Sequence, residues 1–221
     1  MKPFTSLLTA ALLSAASLSA CGGSENRMSI QEQTEKRFQL NPHPTKAYRI
    51  KIKINDAPGP LKLTGDIYIR YMARNCSYVI NELEGASAEP TKYVNYKARP
   101  IGHDEYEVIF YSDAVQDEDY FGKGVCHWKP DGFGGAFNAT GKPEETRFSI
   151  SDVMRVLVEQ KTLTKYYWKG AYPYYKNDDG SIFIRSDGVG FTDFGEPLNK
   201  FSNERQKDLF NITVTLEEMK P

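Results

Sequence analysis

Residues 47–55 decide the fold class: they read Ala-Tyr-Arg-Ile-Lys-Ile-Lys-Ile-Asn, with apolar and charged side chains in strict alternation. Successive side chains of an extended chain point to opposite sides, so Tyr48 and the three isoleucines would share one face. Residues 209–217, Leu-Phe-Asn-Ile-Thr-Val-Thr-Leu-Glu, alternate in the same way near the other end of the chain. Both segments predict β-strands with one buried face, and Phe210 and Leu216 lie on that face of the second.

Shorter apolar or alternating segments fill the chain between these two strands. The further predicted strands are residues 61–73, 91–98, 105–111, 123–128, 132–140, 162–168 and 181–185. Turns rich in Gly, Pro, Asn and Asp are predicted at residues 57–60, 100–104, 130–132 and 177–180. One short helix is predicted over residues 152–160, with Ser151 as its N-cap and Val153, Val156 and Leu157 on its apolar side. The pattern predicts a mainly β protein, an antiparallel β-sandwich or open barrel with one short helix.

The N-terminus has the form of a secretory signal. Lys2 precedes an apolar run over residues 4–18. This run is shorter than the roughly 20 residues that a transmembrane helix needs, and it ends in small residues. The Leu-Ser-Ala-Cys at residues 18–21 resembles the lipobox of bacterial lipoproteins. The resemblance implies cleavage before Cys21 and lipidation of its sulfur and amine. The residue after Cys21 is Gly22 rather than Asp. In enteric-type envelopes the resemblance therefore also implies transport to the outer membrane. The alternative is an ordinary signal followed by an incidental cysteine.

The expected domain organisation follows from this leader and from the polar segment behind it. We expect a signal peptide at residues 1–20, a lipidated N-terminus and flexible tether at residues 21–45, and a single β-rich periplasmic domain at residues 46–221. The lipid would hold the protein on the periplasmic face of the outer membrane. With 28 Lys and Arg against 29 Asp and Glu the chain is nearly neutral, which argues against a nucleic-acid partner.

Two further cysteines, Cys76 and Cys126, remain once Cys21 is assigned to the lipid. A pair of cysteines in an oxidising compartment most simply forms a disulfide. A metal site or a reactive thiol is the alternative, but the chain has no Cys-x-x-Cys and no closely spaced histidine pair. We therefore expect Cys76 and Cys126 to be bonded to each other.

Motifs of the common catalytic classes are absent from the sequence. It has no Gly-x-Ser-x-Gly elbow, no His-Glu-x-x-His and no phosphate-binding glycine loop. Its histidines are His43 in the tether, His103 in a turn and His127 beside Cys126. The sequence identifies no partner that would orient His127 as a general base. We therefore expect no enzyme, no metal and no cofactor, with carboxylate-only catalysis as the remaining enzymatic alternative.

Two groups of side chains are candidates for binding a partner, one acidic and one aromatic. The acidic group and its neighbouring ring are Asp117, Glu118, Asp119 and Tyr120. The aromatic group, in a loop that contains a proline, is Tyr172, Tyr174 and Tyr175. The acids could present charge to a basic partner, hold a cation or form a solvated loop. The tyrosines could contact a protein, stack on a sugar or pack against the sheet.

Two stretches carry a resemblance beyond the lipobox. They are residues 117–128, Asp-Glu-Asp-Tyr-Phe-Gly-Lys-Gly-Val-Cys-His-Trp, and residues 209–214, Leu-Phe-Asn-Ile-Thr-Val. Together they resemble small proteobacterial envelope lipoproteins that give immunity to antibacterial type VI secretion effectors, lipases in particular. The resemblance implies a non-enzymatic protein that binds a secreted effector one-to-one and blocks its active site. The alternative is a lipoprotein that binds an envelope component, such as a glycan or another lipoprotein complex.

Overall fold

The computed structural model describes residues 33, 34 and 36–219. The predicted signal peptide at residues 1–20 and the predicted lipid-carrying Cys21 lie outside the described residues. The described chain is mainly β, with antiparallel sheets and a short helix, and is consistent with a β-sandwich. The fold class predicted from the sequence is therefore confirmed.

The strands are short and follow one another through most of the chain. In chain order they are β1 (Ala47–Asn55), β2 (Lys62–Leu63), β3 (Ile67–Met72), β4 (Tyr78–Asn81), β5 (Ala86–Ala88), β6 (Thr91–Tyr96), β7 (Arg99–Gly102), β8 (Glu105–Tyr111), β9 (Lys129–Gly134), β10 (Ala136–Asn138), β11 (Arg147–Ser149), β12 (Asp152–Val153), β13 (Thr162–Trp168), β14 (Thr192–Asp193) and β15 (Leu209–Glu218). The α-helix α1 is Met154–Gln160. Single 3₁₀ turns lie at Lys169–Ala171, Leu198–Lys200 and Arg205–Asp208.

The strands form three larger sheets and one isolated hairpin. The first sheet has the order β13-β15-β1-β8-β7, the second β12-β9-β3-β6 and the third β14-β11-β10-β2, while β4 pairs with β5. Among the described strands, neighbours are antiparallel except β11 and β14, which are parallel. The chain passes from the third sheet to the second between β2 and β3, and back again between β9 and β10.

The two alternating segments lie side by side at the centre of the first sheet. Ile50 pairs with Leu216 in antiparallel register, and both side chains are buried. On the opposite face the Lys51 ammonium lies 2.8 Å from a Glu217 carboxylate oxygen. The predicted alternation of buried and solvent-facing side chains is confirmed for β1 and β15.

One cluster of buried side chains joins all three sheets. Phe110 enters it from the first sheet, Phe133 from the second and Phe148 from the third. The crossing between β9 and β10 depends on Gly135, because a Cβ on this residue would lie 2.4 Å from Ile67 Cδ1. A side chain at this point would have to displace the end of the buried Ile67 side chain, so glycine allows the chain to pass close to the core here.

The turn predicted at residues 130–132 is wrong, because these residues lie within β9. Pro130 lies opposite Tyr71, where the register with β3 shifts, and such a bulge tolerates a residue that cannot donate a hydrogen bond. Gly132 is close to both flanking strands, since a Cβ would lie 3.3 Å from Arg70 Nη2 and from the Asp152 carbonyl oxygen. The predicted strands at residues 123–128 and 181–185 are also wrong, because Cys126, Ile182 and Ile184 form only isolated β-bridges with nearby loop residues.

The helix begins at Met154 rather than at Asp152, since Asp152 and Val153 pair with β9 as strand β12. Val153 is the N-cap and has no side-chain cap hydrogen bond, so the predicted Ser151 cap is wrong. Ser151 instead shares a hydrogen bond with the Tyr68 hydroxyl. Val153 is exposed, and the buried side of α1 is formed by Met154 and Leu157.

The described part of the expected tether packs against the domain from Phe38 onwards. Phe38 is buried in the core, with its ring centroid 4.8 Å from that of Trp128. The Asn41 amide donates to the Ala114 carbonyl at 2.9 Å, and the Thr45 amide donates to Asp113 at 3.0 Å. The folded body therefore includes residues 38–45, which the sequence assigns to the tether.

Candidate functional site

A disulfide joins Cys76 to Cys126, as the sequence predicts, with 5.6 Å between the two Cα atoms. It connects the start of the β4–β5 hairpin to the loop that contains the acidic residues. The Asn75 side chain reinforces this link, since its Nδ2 donates to the Val125 carbonyl at 2.8 Å and its Oδ1 accepts from the His127 amide at 2.9 Å. We call the two segments, residues 75–88 and 117–127, the disulfide-linked unit.

The rings of Tyr78 and Phe121 stack across this unit, with centroids 5.6 Å apart and planes 14° from parallel. Tyr78 belongs to β4 and Phe121 to the acidic loop, so the stack and the disulfide connect the same two segments at separate points. Two separate connections restrict rotation of the hairpin relative to the loop. The structure therefore presents the hairpin and the acidic loop as one surface.

The three acidic residues of the loop make different contacts. Asp117 accepts hydrogen bonds from the Trp128 amide at 2.9 Å and from His127 Nδ1 at 2.8 Å. Asp119 closes the loop: the backbone N–H groups of Gly124 and Lys123 hold the pKa of its carboxyl below the ordinary value. The exposed Glu118 carboxylate has no hydrogen bond or ion pair within the described residues. Glu118 is therefore the free acid of the predicted trio.

Tyr120 is half-buried and packs on the N-terminal segment rather than extending into solvent. Its ring meets Phe38 edge-on at 5.1 Å, and its hydroxyl donates to the Gln116 carbonyl at 2.8 Å. Burial raises the pKa of this hydroxyl. The ring therefore supports the base of the loop, and the exposed part of the predicted site is reduced to its carboxylates.

The predicted tyrosines are also largely engaged in packing. The Tyr172 hydroxyl donates to the Pro60 carbonyl at 3.1 Å, and burial raises its pKa. The Tyr175 ring centroid lies 4.4 Å from that of Phe191. Tyr174 is partly exposed. These contacts go to parts of the fold that differ from those touched by the acidic loop, so the structure does not connect the two predicted groups.

The hairpin tip carries a feature that the sequence reasoning missed. Leu83 is 99% exposed between Glu82 and Glu84. The turn is shaped by Asn81, whose Oδ1 accepts from the Leu83 amide at 3.0 Å, and by Gly85 at a φ of 65°. A lone apolar residue inside an Asn-Glu-Leu-Glu-Gly turn is a signal that could have been read from the sequence.

A cleft of about 780 Å³ opens beside the disulfide-linked unit. His127 and Asp117 lie at its rim, so the structure supplies the orienting partner that the sequence did not identify. In the described part of the chain, the hydrogen bonds of the His127 ring end at Asp117, and no serine or cysteine is joined to it. The pair lacks the nucleophile of a catalytic triad among these residues.

Within residues 33, 34 and 36–219 no cluster of three or more His, Cys, Asp or Glu side chains is arranged to hold a metal ion. No helix in the same residues has both the length and the apolar character to cross a membrane. The chain matches no known family model, no curated protein and no solved structure. Support for a function therefore comes from the sequence motifs and geometry of this chain.

Proposed function

We propose that the protein is a lipid-anchored periplasmic immunity protein that binds and neutralises a secreted antibacterial toxin one-to-one. The toxin class we propose is a type VI secretion effector, and a phospholipase is the particular case. The observation that carries the proposal is the almost fully exposed Leu83 on a turn of defined shape. Burial of this exposed side chain in a pocket of a protein partner would contribute binding energy that the free protein does not gain.

The energetics of the tip favour binding to another protein. Full burial of a leucine side chain contributes about 1.5–3 kcal/mol. The turn is already held by Asn81 and Gly85, so little conformational entropy remains to be lost when Leu83 enters a pocket. An anchor that is ordered before binding retains more of its burial energy as affinity.

The acidic side chains around the tip indicate which kind of partner surface would match it. Glu82 and Glu84 flank Leu83, and Glu118 extends from the loop that the disulfide connects to the hairpin. A partner with an apolar pocket surrounded by Lys or Arg would match these acids and associate faster at low salt. Toxin neutralisation requires slow dissociation, which the central apolar anchor supports.

The proposed location rests on the lipobox resemblance at Cys21. A diacylglycerol on the Cys21 sulfur and an acyl chain on its amine would together supply three acyl chains, more than the two signals needed for stable anchoring. Attachment to the periplasmic face of the outer membrane would place the disulfide-linked unit where a membrane-directed toxin arrives. The disulfide itself is suited to an oxidising compartment.

The alternative function, binding of an envelope component such as a glycan, would rely on Tyr172, Tyr174 and Tyr175. Tyr172 is bonded to the Pro60 carbonyl and Tyr175 packs on Phe191. Fewer ring faces are therefore available for stacking on sugars than the sequence indicates. For this reason we place toxin binding first.

The test is bacterial competition in the organism that carries the gene. A deletion strain mixed with its parent should be killed when type VI secretion is active, and wild-type protein should restore survival. A Leu83→Asp variant should fail to restore survival, whereas Leu198→Asp, a change of another exposed leucine outside the unit, should restore it. Equal survival of the deletion strain and the parent would refute the proposed function.

A further inference from the structure

A second recess of about 830 Å³ adjoins the cleft beside His127. The two recesses share the lining residues His127, Lys129, Pro130, Met154 and Val158. The start of β9 and one side of α1 therefore form a wall between them. Each recess has a size typical of small-molecule sites, roughly 300–1,000 Å³.

The floor of the first recess is apolar and well packed. Phe110, Trp128, Met154 and Leu216 line it, and each is also buried in the core. A floor made of core side chains cannot collapse into the recess without disrupting the sheets. The recess therefore offers a preformed apolar surface for an alkyl chain.

The free charges at the rim are positive. Lys46 and Lys129 line the recess, and within the described residues neither ammonium has a hydrogen bond or an ion pair. The arginines at the second recess already have ion-pair partners: Arg74 pairs with Asp131, and Arg155 pairs with Glu159. The two lysines are thus the cations at the first recess that remain available to a ligand.

The carboxylates at the same rim already have donors. Asp113 accepts from the backbone amides of Thr45 and Lys46, at 3.0 and 3.1 Å, and from the Thr45 hydroxyl. Asp117 is held by Trp128 and His127, as described above. These donors occupy oxygens of both carboxylates, so the lysine ammonium groups are the charged groups at this recess that lack a partner among the described residues.

We propose that this cleft binds a single-chain amphiphile with an anionic head, either a carboxylate or a phosphate. The alkyl chain lies on the Phe110, Trp128 and Met154 floor, and the head contacts Lys46 and Lys129. This site is separate from the Leu83 tip and does not depend on the proposed toxin-binding function. Binding of a named amphiphile can therefore succeed or fail independently of bacterial competition.

The test is isothermal titration calorimetry of the full-length, oxidised protein with decanoate and with decyl phosphate, below the concentrations at which they form micelles. We expect saturable one-to-one binding of at least one anion. Decan-1-ol and decylamine should bind at least tenfold more weakly because they lack the negative head. Octanoate should bind about fifteenfold more weakly than decanoate, since it is two methylenes shorter and each buried methylene contributes roughly fourfold.

Matched variants locate the site. Lys46→Gln with Lys129→Gln should weaken binding of the anion at least fivefold, whereas Lys62→Gln, outside both recesses, should leave it unchanged. Val158→Asp should abolish binding; this side chain is 44% exposed, so the fold should survive, as circular dichroism would check. Failure of both anions to bind, equal binding of decan-1-ol, or unchanged binding in the double lysine variant would overturn the proposal.

Discussion

Removal of the disulfide tests how much this cross-link stabilises the folded protein relative to the unfolded chain. The bond links residues 50 positions apart, and closing a loop of that length in the unfolded chain costs about 4 kcal/mol in the entropy model. Cys76→Ala combined with Cys126→Ala should therefore lower the free energy of unfolding by about 4 kcal/mol. Small domains have about 5–15 kcal/mol in total, so the variant should fold but be markedly weakened.

The assay is urea unfolding of the oxidised wild type and the double variant, followed by circular dichroism. With a slope of about 2 kcal/mol/M, the midpoint should fall by about 2 M. Asn75→Ala is the matched control, because it removes hydrogen bonds between the same segments and keeps the covalent link; about 1 kcal/mol should be lost. A loss below about 1 kcal/mol in the double variant would refute the reasoning that the cross-link constrains the unfolded chain.

The remaining predictions concern single side chains. Leu83→Ala should change the free energy of unfolding by less than about 0.5 kcal/mol yet weaken toxin binding at least tenfold, as urea unfolding and calorimetry with the purified toxin would show. Asp119 has a lowered pKa in the folded protein, so its charge stabilises the loop above about pH 4 and this contribution disappears as the pH falls through the folded pKa. Wild type and Asp119→Asn should thus converge in acid, and a pH-independent difference in urea midpoint would contradict this. Tyr71→Phe should lower the free energy of unfolding by about 1–2 kcal/mol, because the buried hydroxyl donates to the Tyr111 carbonyl at 2.6 Å. An unchanged urea midpoint would show that this hydrogen bond makes no net contribution to stability.

Alternation in the sequence identified the strands that have one buried face and one solvent-facing side. Residues 47–55 and 209–217 satisfy this condition, and β1 and β15 have the predicted pattern. The pattern failed at β9, where Pro130 and Gly132 have the local signature of a turn. Their place in a strand depends on a register shift opposite Tyr71 and on the proximity of Arg70. Such neighbours are distant in sequence, so local signals cannot report them.

The candidate sites also combine features that the sequence predicts with features that depend on the folded structure. The sequence predicted the Cys76–Cys126 bond, because two cysteines behind a predicted secretory leader most simply pair with each other in an oxidising compartment. It did not predict that Asp117 orients His127 or that Asp119 closes its own loop. Those roles depend on which backbone amides and side chains the folded loop brings within hydrogen-bond distance.

The sequence by itself determined the mainly β class, the faces of the longest strands and the cysteine pair, because each depends on residue type and regular spacing. The tertiary structure decided where the surfaces lie. It placed Leu83 at an exposed tip, connected that tip to Glu118 through the disulfide, and brought Lys46 and Lys129 to one cleft. The physical reason is that a cleft or a combined surface is made by segments far apart in the chain, whose positions follow from sheet register and core packing.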